Sequence, residues 1–519
     1  MNRLRRKQTG VLAMTAVLTF AAACSQTSGG DAGSQGGAAA TPAGTAKEET
    51  KEAAKPGLKA LHHWMKDDYN TYPVAKVIEE ETGYKVQYDM LPQDKAEDKL
   101  NLIMASGEAY DYIFTVGGSS WKALYSDYAK RGALVDLGPL IDEHGPNIKA
   151  SLSQKSWDMV TVDGNIYAIP FPSVDFVGAS LAIRQDWLDA LGLPMPTTVD
   201  EFKNVLAAFK EKDPGGNGDQ NIPMTINGDA PMVTNVLGAF GIANGWNPKD
   251  GSLVPQPMDP GFPAYLTYMN GLFEQGLLEQ EFAVNKDATM KEKFSSGRAG
   301  VIPLHWADVP AVSDALQKND PNAKIVFVPP LKGPDGQAAL SSNGGGLDRI
   351  TFIPKSAKNA VETIKFFNAK LETETFKRIA IGDEGTHHTF ENGAYSPILP
   401  IFNDERNQAN NYLTGVDENN YATYWQARVR KDPRLFAAWE SINPLLDDAL
   451  KAPDVLSTAP YLPEFARNNQ TLGALVSEFA VKIIVGSETL DGLEAFQQKF
   501  NASGGEATAK EINDWYASK

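Results

Sequence analysis

The sequence predicts an α/β protein built as two lobes, each around a mainly parallel sheet, with additional helices. Three observations carry this. Strand-like and helix-like segments alternate in the order β-α-β-α-β between Leu58 and Val116, which is how a parallel sheet with helices on its faces is written. No stretch repeats at the fixed period of a solenoid. The 519 residues, 42% hydrophobic and 22% charged, can bury a large core, and that length suggests roughly two to four domains.

"LKALHHW" (Leu58 to Trp64) reads as the first strand. "TYPVAKVIEEETGY" reads as a helix with Val74, Val77 and Ile78 on one face and Gly83 as its stop. "KVQYDML" alternates as a second strand. "AEDKLNLIMASGE" is helical, with Leu100, Ile103 and Met104 at i, i+3 and i+4, and "YDYIFTV" is a third strand. Ligands on such sheets sit at the carboxyl ends of the strands. Further along, "TTVDEFKNVLAAFKEKD" carries Thr198 at a cap position and Glu201 three residues later, a capping box, followed by Phe202, Val205 and Leu206. "PAYLTYMNGLFEQGLL", "VETIKFFNAKLETETFKRIAIG" and "LVSEFAVKIIVGSETLDGLEAFQQKFNASGG" are further amphipathic helices.

The N-terminus reads as an export signal. Arg3, Arg5, Arg6 and Lys7 form a cationic start, and "VLAMTAVLTFAAAC" is apolar but short for a membrane span. It ends in Ala21, Ala22 and Ala23 before Cys24, the only cysteine, which resembles a bacterial lipobox with Ala21 where Leu is usual. That makes 1–23 a lipoprotein signal peptide and Cys24 the lipidated, palmitate-bearing first residue of the mature chain. Ordinary secretion with an incidental cysteine is the alternative. Residues 24–57 have no large apolar side chain after the cysteine, so they read as a flexible tether. No later stretch is long and apolar enough to span a bilayer. A net charge of -17 argues against nucleic acid as the main partner, because phosphate binding needs a basic face.

Several motifs then fall in one order. "NLIMASGEAYDYIF", "VDGNIYAIPF" (Val162 to Phe171), "IRQDWLDALGLPMPTTVDEF" (Ile183 to Phe202), "FSSGRAGV" (Phe294 to Val301), "GDEGTHHTFENGAYSP", "VGSETLDGLEAF" and the terminal "EINDWYA" follow one another from Leu58 to Lys519. Together they resemble the family 1 extracellular solute-binding lipoproteins of carbohydrate ABC importers, in the long, oligosaccharide-associated, Gram-positive type branch. The resemblance implies a two-lobed, periplasmic-binding-protein-like (type II) clamshell with crossing hinge segments and extra helices. It places crossings at Ala168 to Ser180, Ser341 to Asp348 and Tyr395 to Pro400, where Gly344 to Gly346 and the prolines suit backbone rotation. The first lobe would be 58–170 plus 350–395, and the second 171–349 plus 396–519.

A sugar presents hydroxyls and a C–H face, so its site needs flat aromatic rings and planar polar groups. Of nine tryptophans, Trp187 and Trp515 read as core. Trp64 closes the first strand, Trp246 sits in the turn-rich "ANGWNPKDG", and Trp306 follows the apolar strand "AGVIPLHW"; these three are the ligand-binding candidates, with Asp175 in the first crossing and Glu384 in "GDEGTHH" as polar ones. Trp121 and Trp425 are held in reserve. His62-His63 and His387-His388 are adjacent, whereas two metal ligands on one helix face need a spacing of three or four. No P-loop, Gly-x-Ser-x-Gly or His-Glu-x-x-His is present, and no catalytic residue is nominated.

"DPGGNGDQNIP" (Asp213 to Pro223) resembles a calcium loop of the long members. Asp213, Asn217, Asp219 and Asn221 fall at its ligand positions, but Gly215 replaces an oxygen ligand and Ile222 stands where a Glu would be. Calcium wants six to eight oxygens with several carboxylates, so the reading is a turn kept and a charge lost, with an occupied calcium site as the alternative. No other cofactor is expected. The sequence thus points to a monomeric binding protein, not an enzyme. Anchored to the outer face of the cell membrane through lipid alone, it captures a carbohydrate for an ABC permease. A peptide-binding or sensory lipoprotein on the same scaffold is one alternative, and an anchored polysaccharide lyase or glycosidase another.

Overall fold

The computed structural model describes residues 55–174, 177–342 and 346–519. Two sheets organise it. The strands are β1 (Leu58–His62), β2 (Val86–Met90), β3 (Tyr112–Val116), β4 (Ala168–Pro172), β5 (Ala179–Arg184), β6 (Ile222–Met224), β7 (Ala299–His305), β8 (Ile325–Phe327) and β9 (Leu347–Phe352). The first sheet runs β2-β1-β3-β9-β4, and the second β8-β5-β7-β6. In the first, β1 is parallel to β2 and β3, while β9 lies antiparallel between β3 and β4. The second departs from the mainly parallel expectation: β6 and β7 are parallel, but β5 is antiparallel to both its neighbours. The reason is the crossing. The chain leaves the first sheet at Pro172 and enters the second within a few residues, so β5 starts at the shared edge and runs away from it.

Helix α1 (Pro73–Thr82) forms where predicted. Proline opens it, Val74, Val77 and Ile78 are buried, and Gly83 at φ 69° ends it by turning its N–H onto the Glu79 carbonyl. Helix α2 (Ala96–Ser106) buries Leu100 and Ile103. Helix α3 (Val199–Lys212) has the predicted cap in modified form: Thr198 Oγ1 accepts the Glu201 N–H at 3.1 Å, and the Glu201 carboxylate reaches one residue further back, to the Thr197 N–H at 2.8 Å.

The first core gathers Leu61, Ile113, Phe171, Ile350 and Phe352. On the second sheet side chains alternate between two cores: Leu181, Ile183 and Val301 face one, and Ala182, Ile302 and Leu304 the other. The third passage between the lobes corrects the sequence reading. Phe402, Tyr412, Tyr421 and Ala427 are buried in the first core, and Val429, Leu435 and Trp439 in the second-sheet core. The chain therefore crosses at the end of α4 (Tyr421–Val429), just before α5 (Pro433–Ile442), not at Tyr395 to Pro400. The cause is aromatic packing: Tyr421 stands edge-on to Phe171 and Phe376, and Tyr424 to Tyr395, which holds residues 402–427 on the first lobe. The long helix α6 (Pro463–Ile484) returns to the second lobe through Leu472, Phe479 and Ile483.

His62 fills the middle of the first core, fully buried, with ring centroids 4.7 Å from Tyr69, 4.9 Å from Tyr88 and 5.1 Å from Phe114. Its Nδ1 lies 3.2 Å from the Asn411 carbonyl and its Nε2 3.2 Å from the Tyr112 hydroxyl. A carbonyl only accepts, so Nδ1 carries a proton, and burial keeps the ring neutral. Burial holds its pKa well below 6.5, and burial with the nearby Arg349 charge takes that of His63 down to about 3. With folded values below the unfolded one, the unfolded chain takes up protons first. Stability should be complete above pH 6.5 and fall as pH drops below it. Urea unfolding between pH 8 and 5 should show this slope, and His62→Phe should flatten it. At pH 8 that variant should lose about 1–3 kcal/mol through the unpaired Asn411 carbonyl and Tyr112 hydroxyl. Equal slopes for both proteins would contradict this assignment.

Candidate ligand cleft

Strand pairing brings the functional ends together. Leu347 pairs with Pro172 and Arg349 with Val116, so the start of β9 and the ends of β4 and β3 share one edge of the first sheet. Ala179 pairs with His305, so the start of β5 and the end of β7 share one edge of the second. Short crossings join these edges. Gly117 shows how tight the junction is: its N–H donates to the Asp348 carbonyl, and a Cβ there would stand 2.2 Å from the Leu347 oxygen.

Between the lobes lies a cavity of about 540 Å³. Trp306, Pro310 and Leu435 line it from the second lobe, Asn403, Asn407 and Trp425 from the first, and Arg428 and Lys431 from the crossing segment. Trp306 is placed by a local device: His305 Nδ1 accepts the Ala307 N–H at 3.1 Å, which turns the chain out of β7 into a 3-10 turn and then a proline-started helix, Val309–Leu316. Trp425 projects from α4, one turn after Tyr421. The two indoles meet edge to face, 6.4 Å apart at 85°. Neither Nε1–H has an acceptor among the described residues, although both atoms are buried.

Two further recesses lie at the strand ends. On the first lobe Trp64, 42% exposed, and Trp121 line a recess of about 560 Å³ with His63, Pro92 and Lys95. On the second, Asn227, His305, Lys291 and Asp308 line one of about 270 Å³. Lys291 is 2.7 Å from Asp287 and 2.8 Å from Asp308; burial alone would lower its pKa, but the two carboxylates outweigh it and raise it. The largest described cavity, about 760 Å³, opens at the other end of the first sheet, around Gly57, Leu58 and Asp111, where the strands begin.

Of the sequence candidates, Trp64 and Trp306 reach the cleft edges, and both reserves, Trp121 and Trp425, join them. Trp246 does not: it is 7% exposed in a separate core with Leu253, Leu462 and Ile512. Its loop folds as a hairpin, Trp246–Lys249 with Ser252–Pro255, against the last helix. Glu384 is exposed on the turn after Ile381 and lines none of the cavities above. Asp175 and Cys24 lie outside the described residues. Trp187 is core, as read. Sequence reasoning missed Arg428, Lys431 and Asn407. The run "WQARVRKDPR" from Trp425 held a signal, since Arg428, Arg430 and Lys431 stand close together at the end of an apolar helix.

The loop after α3 closes on itself. The Asp213 carboxylate accepts the Asn217 N–H at 2.9 Å and the Gly218 N–H at 2.7 Å. The Asn217 amide donates to the Gly297 carbonyl and the Asn221 amide to the Phe209 carbonyl, while Asp219 is exposed. Among the described residues no three His, Cys, Asp or Glu side chains are grouped to hold a metal ion.

Fold and cleft together define a two-lobed binding protein of the clamshell type. A family model for bacterial extracellular solute-binding proteins matches residues 74–386, more than half of the chain, and the protein belongs to that family. The chain is 41% identical over 252 residues to an uncharacterized protein in the butB 5' region of Niallia circulans, across 49% of this chain and 98% of that one. It is 29% identical to Lipoprotein LipO of Bacillus subtilis strain 168, across 63% and 66% of the two chains. It is 27% identical to the polygalacturonan/rhamnogalacturonan-binding protein YtcQ of the same strain, across 68% and 72%. The fold is shared with the alginate-binding protein AlgQ2 solved without calcium ion (TM-score 0.66, 21% identity, 90% and 100% of the chains). It is also shared with the S. pneumoniae substrate-binding protein FusA in complex with kestose (TM-score 0.67, 20% identity, 89% and 99%). Among the described residues no helix is long and apolar enough to cross a membrane.

The self-closed loop makes a prediction. Melting temperature should be the same in calcium and in a chelator. Asp213→Ala should lower stability by about 0.5–2 kcal/mol, as loss of a capping carboxylate does. A calcium-dependent rise of several degrees would contradict it.

Proposed function

We propose that this protein is a lipid-anchored receptor outside the cell membrane that takes an oligosaccharide into the cleft between its lobes and passes it, unaltered, to the permease of an ABC importer. The observation that carries this reading is the cavity walled by Trp306 and Trp425, with a second tryptophan-lined recess, Trp64 and Trp121, on the first lobe. Flat apolar faces next to N–H donors suit the C–H faces and hydroxyls of sugar rings. Ligand contact with groups from both lobes would favour the closed form over the open one, which is how a ligand shifts such an equilibrium. The relatives support the same class: YtcQ is named for binding polygalacturonan and rhamnogalacturonan, and a 29% identical S. pneumoniae relative is named a fructooligosaccharide ABC transporter substrate-binding protein.

Cys24 is the anchor in this reading, and the name of LipO as a lipoprotein supports it. Asp175, in the first crossing, is a further candidate contact. The receptor acts as a monomer and carries out no chemistry on its ligand.

Intrinsic tryptophan fluorescence of the purified protein should change saturably with an oligosaccharide that is then recovered intact. Trp306→Ala and Trp425→Ala should each weaken binding at least tenfold, in the range of one lost stacking contact. Trp246→Ala should leave affinity unchanged. Turnover of the sugar would replace this reading with an enzyme, and a response to peptides alone with a peptide receptor.

A further inference from the structure

We propose that the solute is an acidic carbohydrate, and that the wall formed by Arg428, Lys431 and the indole N–H groups of Trp306 and Trp425 receives its carboxylate. This deepens the carbohydrate reading and rests on it.

The chain carries a net charge of -17, yet the cavity between the lobes is lined by two cations without a carboxylate partner. Among the described residues no Asp or Glu lies within ion-pair distance of Arg428 or Lys431. Arg428 is buried and donates only to neutral oxygens: the Arg406 carbonyl at 3.0 Å, the Asn407 carbonyl at 2.6 Å and the Asn410 side chain at 2.8 Å. Lys431 donates to the Asn407 side chain at 2.6 Å. The one carboxylate lining the cavity, Asp432, is taken by Arg434, whose Nη2 is 2.8 Å from it and whose backbone N–H donates to it at 2.8 Å. A buried cation without a counter-charge is costly, and here the cavity gives both cations access to one from outside. Burial draws Lys431 down to about 8, with the Arg428 charge adding to the effect and the Asp432 charge opposing it, and burial also lowers Arg428.

Hydrogen-bond polarity points the same way. Indole, guanidinium and ammonium groups only donate. The Nε1 atoms of Trp306 and Trp425 and the Nε of Arg428 are buried without acceptors, and the Asn407 oxygen is already occupied by Lys431. A sugar hydroxyl both gives and takes a hydrogen bond, so a wall of donors satisfies only half of it. A carboxylate only accepts, with room for about four donors, and answers such a wall completely. The flat indoles beside the cations supply the surface for the ring that bears it.

The test compares trigalacturonate, its methyl ester and neutral galactotriose by isothermal titration of the full folded chain, with and without Lys431→Met. Lys431 is only half-buried, so the variant should fold, and an unchanged melting temperature checks that. The acid should bind at least tenfold more tightly than its ester or the neutral trimer. Lys431→Met should remove most of that advantage by weakening the acid far more than the neutral sugar, and Lys431→Arg should restore it. Equal affinity for acid and neutral trimers, or equal losses for both in Lys431→Met, would overturn the acidic assignment and leave the carbohydrate reading standing. Silence towards galacturonate, mannuronate, glucuronate and neutral trimers, with a response to peptides, would overturn both.

Discussion

The antiparallel insertion of β9 between β3 and β4 is the constraint on which the rest of the molecule depends. It makes the chain return from the second lobe at the same edge from which β4 left it, with Leu347 beside Pro172. The mirror condition holds on the other side, where β5 starts beside the end of β7. The strands that flank the first two passages therefore meet them along one seam, and the carboxyl ends of β1, β3, β6 and β7 open onto it. The seam leaves little slack: Gly117 has no room for a side chain against Leu347. Aromatic residues that merely end a strand in the sequence, such as Trp64 and Trp306, are brought to the strand ends by this pairing, and the His305 cap then turns Trp306 out of its strand.

The third passage adds a second consequence. Helix α4 belongs to the first core through Tyr421 and Ala427 and hands the chain to the second through Val429. The residues that line the cavity, Trp425, Arg428 and Lys431, sit on this junction, not on either lobe's periphery. A rotation of the lobes about it changes the spacing between Trp306 and Trp425 directly. In the proposed reading the candidate binding groups thus sit at the joint between the lobes, as a receptor that reports occupancy by shape requires.

Much of the fold was legible in the sequence because local patterns decide it. The 3.6-residue spacing of Val74, Val77 and Ile78, the Gly83 stop and the Thr198 cap all act within a few residues. The family-ordered motifs supplied the two-lobed plan. What was not legible depended on distant contacts. Trp246 and Trp306 both follow turn-rich or strand-ending segments, but Trp246 is buried by Ile512 and Leu462, more than 200 positions away. Tyr395 to Pro400 looks like a hinge by its prolines, yet Tyr395 packs on Tyr424 and Phe390, which keeps the following segment on the first lobe. Arg428 reads as an ordinary basic residue at a helix end. Only burial without a carboxylate makes it notable, and burial is not written locally.

The central claim is that solute is held between the lobes by Trp306 on one side and Trp425 with its following basic residues on the other. Hydrogen exchange by mass spectrometry, with and without a bound oligosaccharide, tests this most directly. The account predicts slowed exchange in both the segment around Trp306 to Ala311 and that around Asn403 to Leu435, with the groove at Gly57 to Lys59 unchanged. Protection confined to one lobe, or to that groove at the far end of the first sheet, would contradict it.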